Sequence, residues 1–92
     1  MRRVGTRHRS GGVTIFSASG IPGPPRVAFV AGRWIGSAVR RNRCRRRLRE
    51  AVGRVPLGEG RDYVVIAGEA VHDAAFETLV AWVGDCAGEE KE

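Results

Sequence analysis

The sequence predicts an α+β domain, a small mixed sheet with helices on one face, in the order ββαβα. Three observations predict it. Short segments of strand character, alternating or apolar, occur at 13–17, 26–31 and 63–67. Between the second and third lies a long stretch whose apolar residues recur at helical spacing. A second helical stripe follows the third strand. Length agrees with one domain, since 92 residues at 42% hydrophobic content can bury a modest core and are too apolar for a disordered chain. Residues 1–87 are expected to form that domain, and 88–92 a frayed acidic tail.

Each element has its own justification. Residues 1–12 are basic, rich in Gly and Ser, and expected to be irregular. Residues 13–17 alternate in polarity and form the first strand. Thr14, Phe16 and Ala18 then share one side, and Val13 and Ile15 the other. The Gly- and Pro-rich segment 20–25 is a loop. Residues 26–31 form a second strand, antiparallel to the first, with Ala28 and Val30 on the Thr14 side and Val27, Phe29 and Ala31 toward the core. Ser37 is the N-cap of a helix running from 38 to about 55. Its stripe is Cys44, Leu48, Ala51, Val52 and Val55; nearly every other position is Arg, and Gly53 and Pro56 end it. Gly58 and Gly60 mark a turn into the third strand at 63–67, apolar enough to be central. Asp73 is expected to cap the last helix, with Glu77 favourable in its first turn. Phe76, Leu79, Val80 and Val83 line its apolar side, and Trp82 lies off that stripe as a partly exposed packing residue.

Charge is divided along the chain. The net charge is +6, yet residues 1–49 hold 13 arginines and no acid, while 50–92 hold three basic residues against ten acids. An acid-free, arginine-rich half reads as a polyanion-binding surface. The density peaks at 40–49, where seven of ten residues are Arg, a run that repels itself until phosphates lie against it. Guanidinium groups also stack on unpaired bases, which favours structured RNA.

Other chemistry is weakly represented. No apolar run approaches the roughly 18–20 residues of a membrane helix, and no secretory signal pattern follows the basic start, so a cytoplasmic location is expected. Cys44 and Cys86 could pair, though nothing indicates an oxidising compartment, and there is no C-x-x-C. His8 and His72 are isolated, and Asp62, Glu69, Asp73 and Asp85 lack the clustered spacing of a metal site. Cys44 is either a thiol activated by the surrounding arginines or a small core residue on the apolar stripe. No nucleophile–base–orienter set is present, so chemistry by the protein alone is not expected.

The segment Gly36-x-Ala38-Val39-x-Arg41-Asn42-Arg43-x-Arg45-Arg46-x-Leu48-Arg49-Glu50 resembles the signature of the bacterial ribonuclease P protein subunit. Residues 26–30, the Gly60-Arg61-Asp62 lead into the third strand, and Phe76 at the last helix resemble its flanks, so the likeness covers about 5–83. The resemblance implies a ribosomal-protein-like α/β sandwich with a left-handed βαβ crossover, where sequence alone favours the right-handed one. It implies a non-catalytic subunit of an endoribonuclease, a hydrolase whose chemistry lies with a large catalytic RNA and Mg²⁺ held mainly by that RNA. The other partner implied is precursor tRNA, whose 5′ leader is removed. On this resemblance the RNA-binding residues are Arg33, Arg40, Arg41, Asn42, Arg43, Arg45, Arg46 and Arg49. The leader cleft is Thr14, Phe16, Ala28 and Val30, with no catalytic and no metal-binding residue. Phe16 is either a base-stacking aromatic or a plain core or edge hydrophobe.

Three departures from the family accompany the likeness. A basic helix normally walls the cleft ahead of the first strand, and Met1 is expected to lie near its end, so either the start is assigned late or the chain is a truncated variant. Trp34 replaces one cation of a basic pair and either stacks on RNA or packs on protein. Gly68, followed by Glu69, stands where the family has an Arg. The alternatives to a ribonuclease P subunit are a structural RNA-binding protein of ribosomal type and a DNA-binding basic helix.

Overall fold

A computed structural model describes residues 5–88. The first four residues and the acidic tail at 89–92 lie outside the described residues. In chain order the elements are β1 (Gly5–Ser10), β2 (Val13–Ser19), β3 (Arg26–Val30), a 3₁₀ turn (Arg33–Ile35), α1 (Ala38–Val52), β4 (Arg61–Ala67), α2 (Ala70–Asp73) and α3 (Phe76–Gly88). The four strands form one mixed sheet in the order β1-β2-β4-β3. β1 and β4 each run antiparallel to β2, and β3 runs parallel to β4 with α1 as the connection.

Two expectations about the sheet are corrected. Residues 5–10 are a strand, not irregular chain. Their side chains carry no apolar period, so the pairing comes from β2 and from α3. Thr6 Oγ1 lies 3.1 Å from Ser17 Oγ, and Ser10 Oγ donates to Asp85 Oδ2 at 3.1 Å. The β1–β2 hairpin turns on Gly11 and Gly12, with Gly11 at φ +55°. The Trp82 ring occupies the space a Cβ at Gly11 would need, 2.0 Å from its nearest carbon, so the turn and α3 dock together.

The second correction is to strand order. Residues 13–19 and 26–30 do not pair; β4 lies between them. The loop at 20–25 makes no tight hairpin because its backbone is tied to the start of β4. Gly20 N–H donates to Gly60 O, and Gly60 N–H to Gly23 O, both at 2.8 Å. β4 is therefore central, as its apolar run predicts.

Helix α1 starts at its Ser37 cap, whose Oγ accepts the Arg40 N–H at 3.3 Å. It stops at Val52, short of Val55, where Gly53 N–H closes on Arg49 O at 3.1 Å. Asp73 does not cap the last helix. It ends the extra helix α2 and pairs with its neighbour, Oδ1 lying 2.8 Å from His72 Nδ1. Two residues intervene before α3, so the cap position has moved past Asp73.

The core fills one side of the sheet. Val13, Ile15, Tyr63, Val65 and Ala67 from the strands meet Cys44, Leu48 and Ala51 of α1, Val71 of α2, and Leu79, Val83 and Cys86 of α3. Both cysteines are buried and free. Trp82 packs partly buried against this core, as expected. The alternation forecast for 13–18 and 27–31 holds, so the other side of the sheet carries no helix-facing side chains.

Candidate nucleic-acid interface

Helix α1 sorts its arginines by angle around the axis. The side opposite the buried stripe presents Asn42 and Arg46 to solvent. The side chains of Arg33, Arg41, Arg43 and Arg46 form no hydrogen bond or ion pair with any described residue. Arg45 donates to Asn42 Oδ1, and Arg49 lies over the Phe29 ring, 5.5 Å from its centroid, which lays that flank along β3. The other flank is used within the fold. Arg40 Nε donates to Ile35 O at 3.1 Å. Arg47, a residue the resemblance did not assign to RNA, donates to Val71 O at 2.7 Å, His72 O at 3.0 Å and Ala74 O, and so caps the C-terminal carbonyls of α2. The charge run is thus two populations, one bonded to protein and one with nothing to bond.

Electrostatics at α1 settle the cysteine. Burial pushes the Cys44 thiol up; Arg40, Arg47 and Arg43 pull it down and lose. Its burial in the core and the direction of that shift favour a small packing residue over an activated nucleophile. Asp73 is held below the usual carboxylate range by the His72 hydrogen bond first, and by Arg40 and Arg43 at longer range.

The open side of the sheet forms a second surface, read from the strand register. One rung runs Arg7, Phe16, Val64, Ala28, and the next runs Arg9, Thr14, Ile66, Val30. All four cleft residues of the resemblance, Thr14, Phe16, Ala28 and Val30, fall on this face, with Phe16 41% exposed. Arg7 sits over the Phe16 ring at 5.9 Å. A third rung, Gly5, Ala18, Asp62, Arg26, closes one end with a bidentate pair in which Arg26 donates to both Asp62 oxygens at 2.9 and 2.8 Å. A groove lined by Gly5, Thr6, Phe16, Ala18 and Val64 opens beside it.

Arg7 and Arg9 were missed by sequence reasoning. The signal was present as a period-2 alternation, Thr6-Arg7-His8-Arg9-Ser10, ending in Gly-Gly before an apolar strand, a hairpin pattern with polar sides. Trp34 resolves toward packing at one edge, its Nε1–H donating to Ala67 O at 2.7 Å, while half of the residue stays exposed. Among the described residues no group of three His, Cys, Asp or Glu could hold a metal ion, and no helix is long and apolar enough to cross a membrane.

Fold and site together define a small α+β protein with two separate outward surfaces, one of guanidinium groups and one apolar and aromatic. The family is also established: the model of the Ribonuclease P family matches residues 1–89, and the chain belongs to that family. It is similar to the ribonuclease P protein component of Symbiobacterium thermophilum, 50% identical over 58 residues, covering 61% of this chain and 50% of that protein. It is similar to that of Bartonella quintana, 45% identical over 69 residues, covering 68% of this chain and 51% of that protein. The chain thus spans about half the length of these relatives. Among solved structures, the Staphylococcus aureus RNase P protein superposes with a TM-score of 0.75 at 19% identity, covering 95% of this chain and 82% of that one. The Thermotoga maritima RNase P protein does so with 0.75 at 24%, covering 88% and 79%. At those identities the structural likeness establishes the fold.

Proposed function

We propose that this chain acts in the cytoplasm as the protein subunit of ribonuclease P. It binds the catalytic RNA through α1 and the 5′ leader of precursor tRNA on the open sheet face. It thereby promotes the Mg²⁺-dependent endonucleolytic cut that makes the mature 5′ end. The observation that carries the reading is the set of unpartnered guanidinium groups at Arg41, Arg43 and Arg46 on the signature helix of a family member. No described side chain bonds to those guanidinium groups, and each one set against a phosphate releases counterions. The sheet face supports the second half of the reading, because an exposed Phe16 flanked by Arg7 suits an unpaired base beside its phosphate.

The chain supplies binding and positioning rather than bond breaking. Among the described residues Asp62 is engaged by Arg26 and Asp73 by His72, and no group of three His, Cys, Asp or Glu comes together. We assign Mg²⁺ to the RNA.

Reconstitution tests the proposal. The chain is combined with a bacterial catalytic RNA and precursor tRNA at physiological Mg²⁺, and 5′ cleavage is measured. Stimulated leader removal is the expected result. RNA binding without stimulation, by this chain and by an upstream-extended form alike, replaces the reading with a structural RNA-binding role.

A further inference from the structure

We propose that Trp34 and Arg9 form a second single-nucleotide site at the end of the open sheet face, the indole stacking on an unpaired base and the guanidinium meeting its phosphate. The proposal rests on the RNA-binding reading above and adds a site to it. Four observations support it. The indole is pinned rather than loose, since Nε1–H donates to Ala67 O at 2.7 Å and the six-membered ring lies over Gly32, where a Cβ would come within 2.1 Å of it. Half of the residue nonetheless remains exposed, so a ring held in place still offers apolar surface to solvent. The recess beside it is lined by Arg9, Gly11, Gly12, Thr14, Ile66 and Gly68, and its glycine floor is bare backbone, closed by the Gly68 N–H donating to Gly12 O at 2.7 Å. A Cβ at Gly68 would stand 3.0 Å from that oxygen, a tight contact that glycine avoids.

The fourth observation is an asymmetry between the two ends of the face. At the Arg26 end the cation is matched by Asp62, whose carboxylate repels phosphate. At the Trp34 end Arg9 is exposed and no carboxylate lines the recess. Val64 beside Phe16 and Ala67 beneath Trp34 are three residues apart on β4, about 10 Å at strand rise, so one single strand can touch both rings. Trp34 and Gly68 both line this one recess.

Tryptophan emission tests it directly, with a short oligouridylate as the probe and fluorescence anisotropy of a labelled copy reporting binding independently. Quenching is read in Trp82→Phe, which leaves Trp34 as the sole indole, and as the difference between the parent and Trp34→Phe. We expect saturable quenching that tracks the anisotropy. Trp34→Leu should weaken binding about 5- to 150-fold, the range of one lost base stack, while Trp34→Phe keeps most of the affinity. Because both variants lose the bond to Ala67, Trp34→Phe separates loss of stacking from loss of fold. Binding with no quenching, or equal weakening in the Leu and Phe variants, overturns the Trp34 site and leaves the RNA-binding reading intact. No binding by the folded parent overturns both.

Discussion

Helix α1 and the open face of the sheet meet solvent with opposite chemistry. On α1 the outward groups are guanidinium ions, long, hydrated and without partners at Arg41, Arg43 and Arg46. On the sheet they are Phe16, Val30, Ala28 and half of Trp34, with arginines along the β1 margin and Arg26, paired to Asp62, at one end. The difference separates two kinds of recognition. A surface of free charge gains affinity from counterion release, which is indifferent to sequence and collapses with salt. A surface of exposed rings gains it from stacking, which needs an unpaired base and tolerates salt. A molecule carrying both can hold a folded RNA with one and sense a single strand with the other.

The largest effect should come from removing the free charges. Arg41, Arg43 and Arg46 replaced together by Ala should lower affinity for the catalytic RNA and flatten the log–log salt dependence by about 2–3, at roughly 0.7–0.9 per phosphate. The melting temperature should hardly move, because no described residue loses a bond. Titrations across a salt series check this, and an unchanged slope would take α1 out of the RNA interface. Next comes the sheet. Phe16→Ala should cost about 1–3 kcal/mol in binding of leader-bearing substrate and much less for mature tRNA. Its penalty should persist at high salt, and equal loss for both substrates would remove Phe16 from leader contact.

How far the sequence revealed these two surfaces depends on which physical signal each left. The α1 stripe was legible because Cys44, Leu48, Ala51 and Val52 sit at helical spacing, and Ser37 announces its own cap. The face of β2 was legible because Val13 and Ile15 alternate with Thr14 and Phe16. β1 was not, because a strand whose inner residues are Thr6, His8 and Ser10 carries no hydrophobic period and is held by its neighbours. Strand order was hidden for a similar reason. Neighbouring strands usually pair, and nothing local told that Gly20 and Gly23 would bond to Gly60 instead. Within the charge run, composition could not separate Arg47 from Arg46, since the carbonyls that claim Arg47 belong to a helix more than twenty residues away.

That last distinction supports a smaller prediction on the same helix. Arg47→Ala should lower stability by about 1–2 kcal/mol, because three carbonyls at the end of α2 lose a charged donor. The salt slope for RNA binding should match the parent's. Arg47→Lys should recover little, since an ammonium cannot span carbonyls that a planar fork reaches together. Denaturant melts and the salt series, run on the same variants, separate the bonded arginines of α1 from the free ones.

The smallest effect belongs to the buried side of that helix. The native Cys44 thiol is raised by burial above the ordinary thiol value it has in the unfolded chain. The native state therefore holds its proton more tightly. Its contribution to stability is complete below the unfolded value and declines as pH rises from there toward the native value. Stability followed from neutral to alkaline pH should fall more steeply for the parent than for Cys44→Ala, once the mutant's constant loss from its smaller side chain is subtracted. Alkylation at mildly alkaline pH should proceed only as fast as the protein opens. Rapid labelling of the folded chain would mean that the arginines, not burial, govern this thiol, and that the two sides of α1 are less separate than the packing of Cys44 against the core implies.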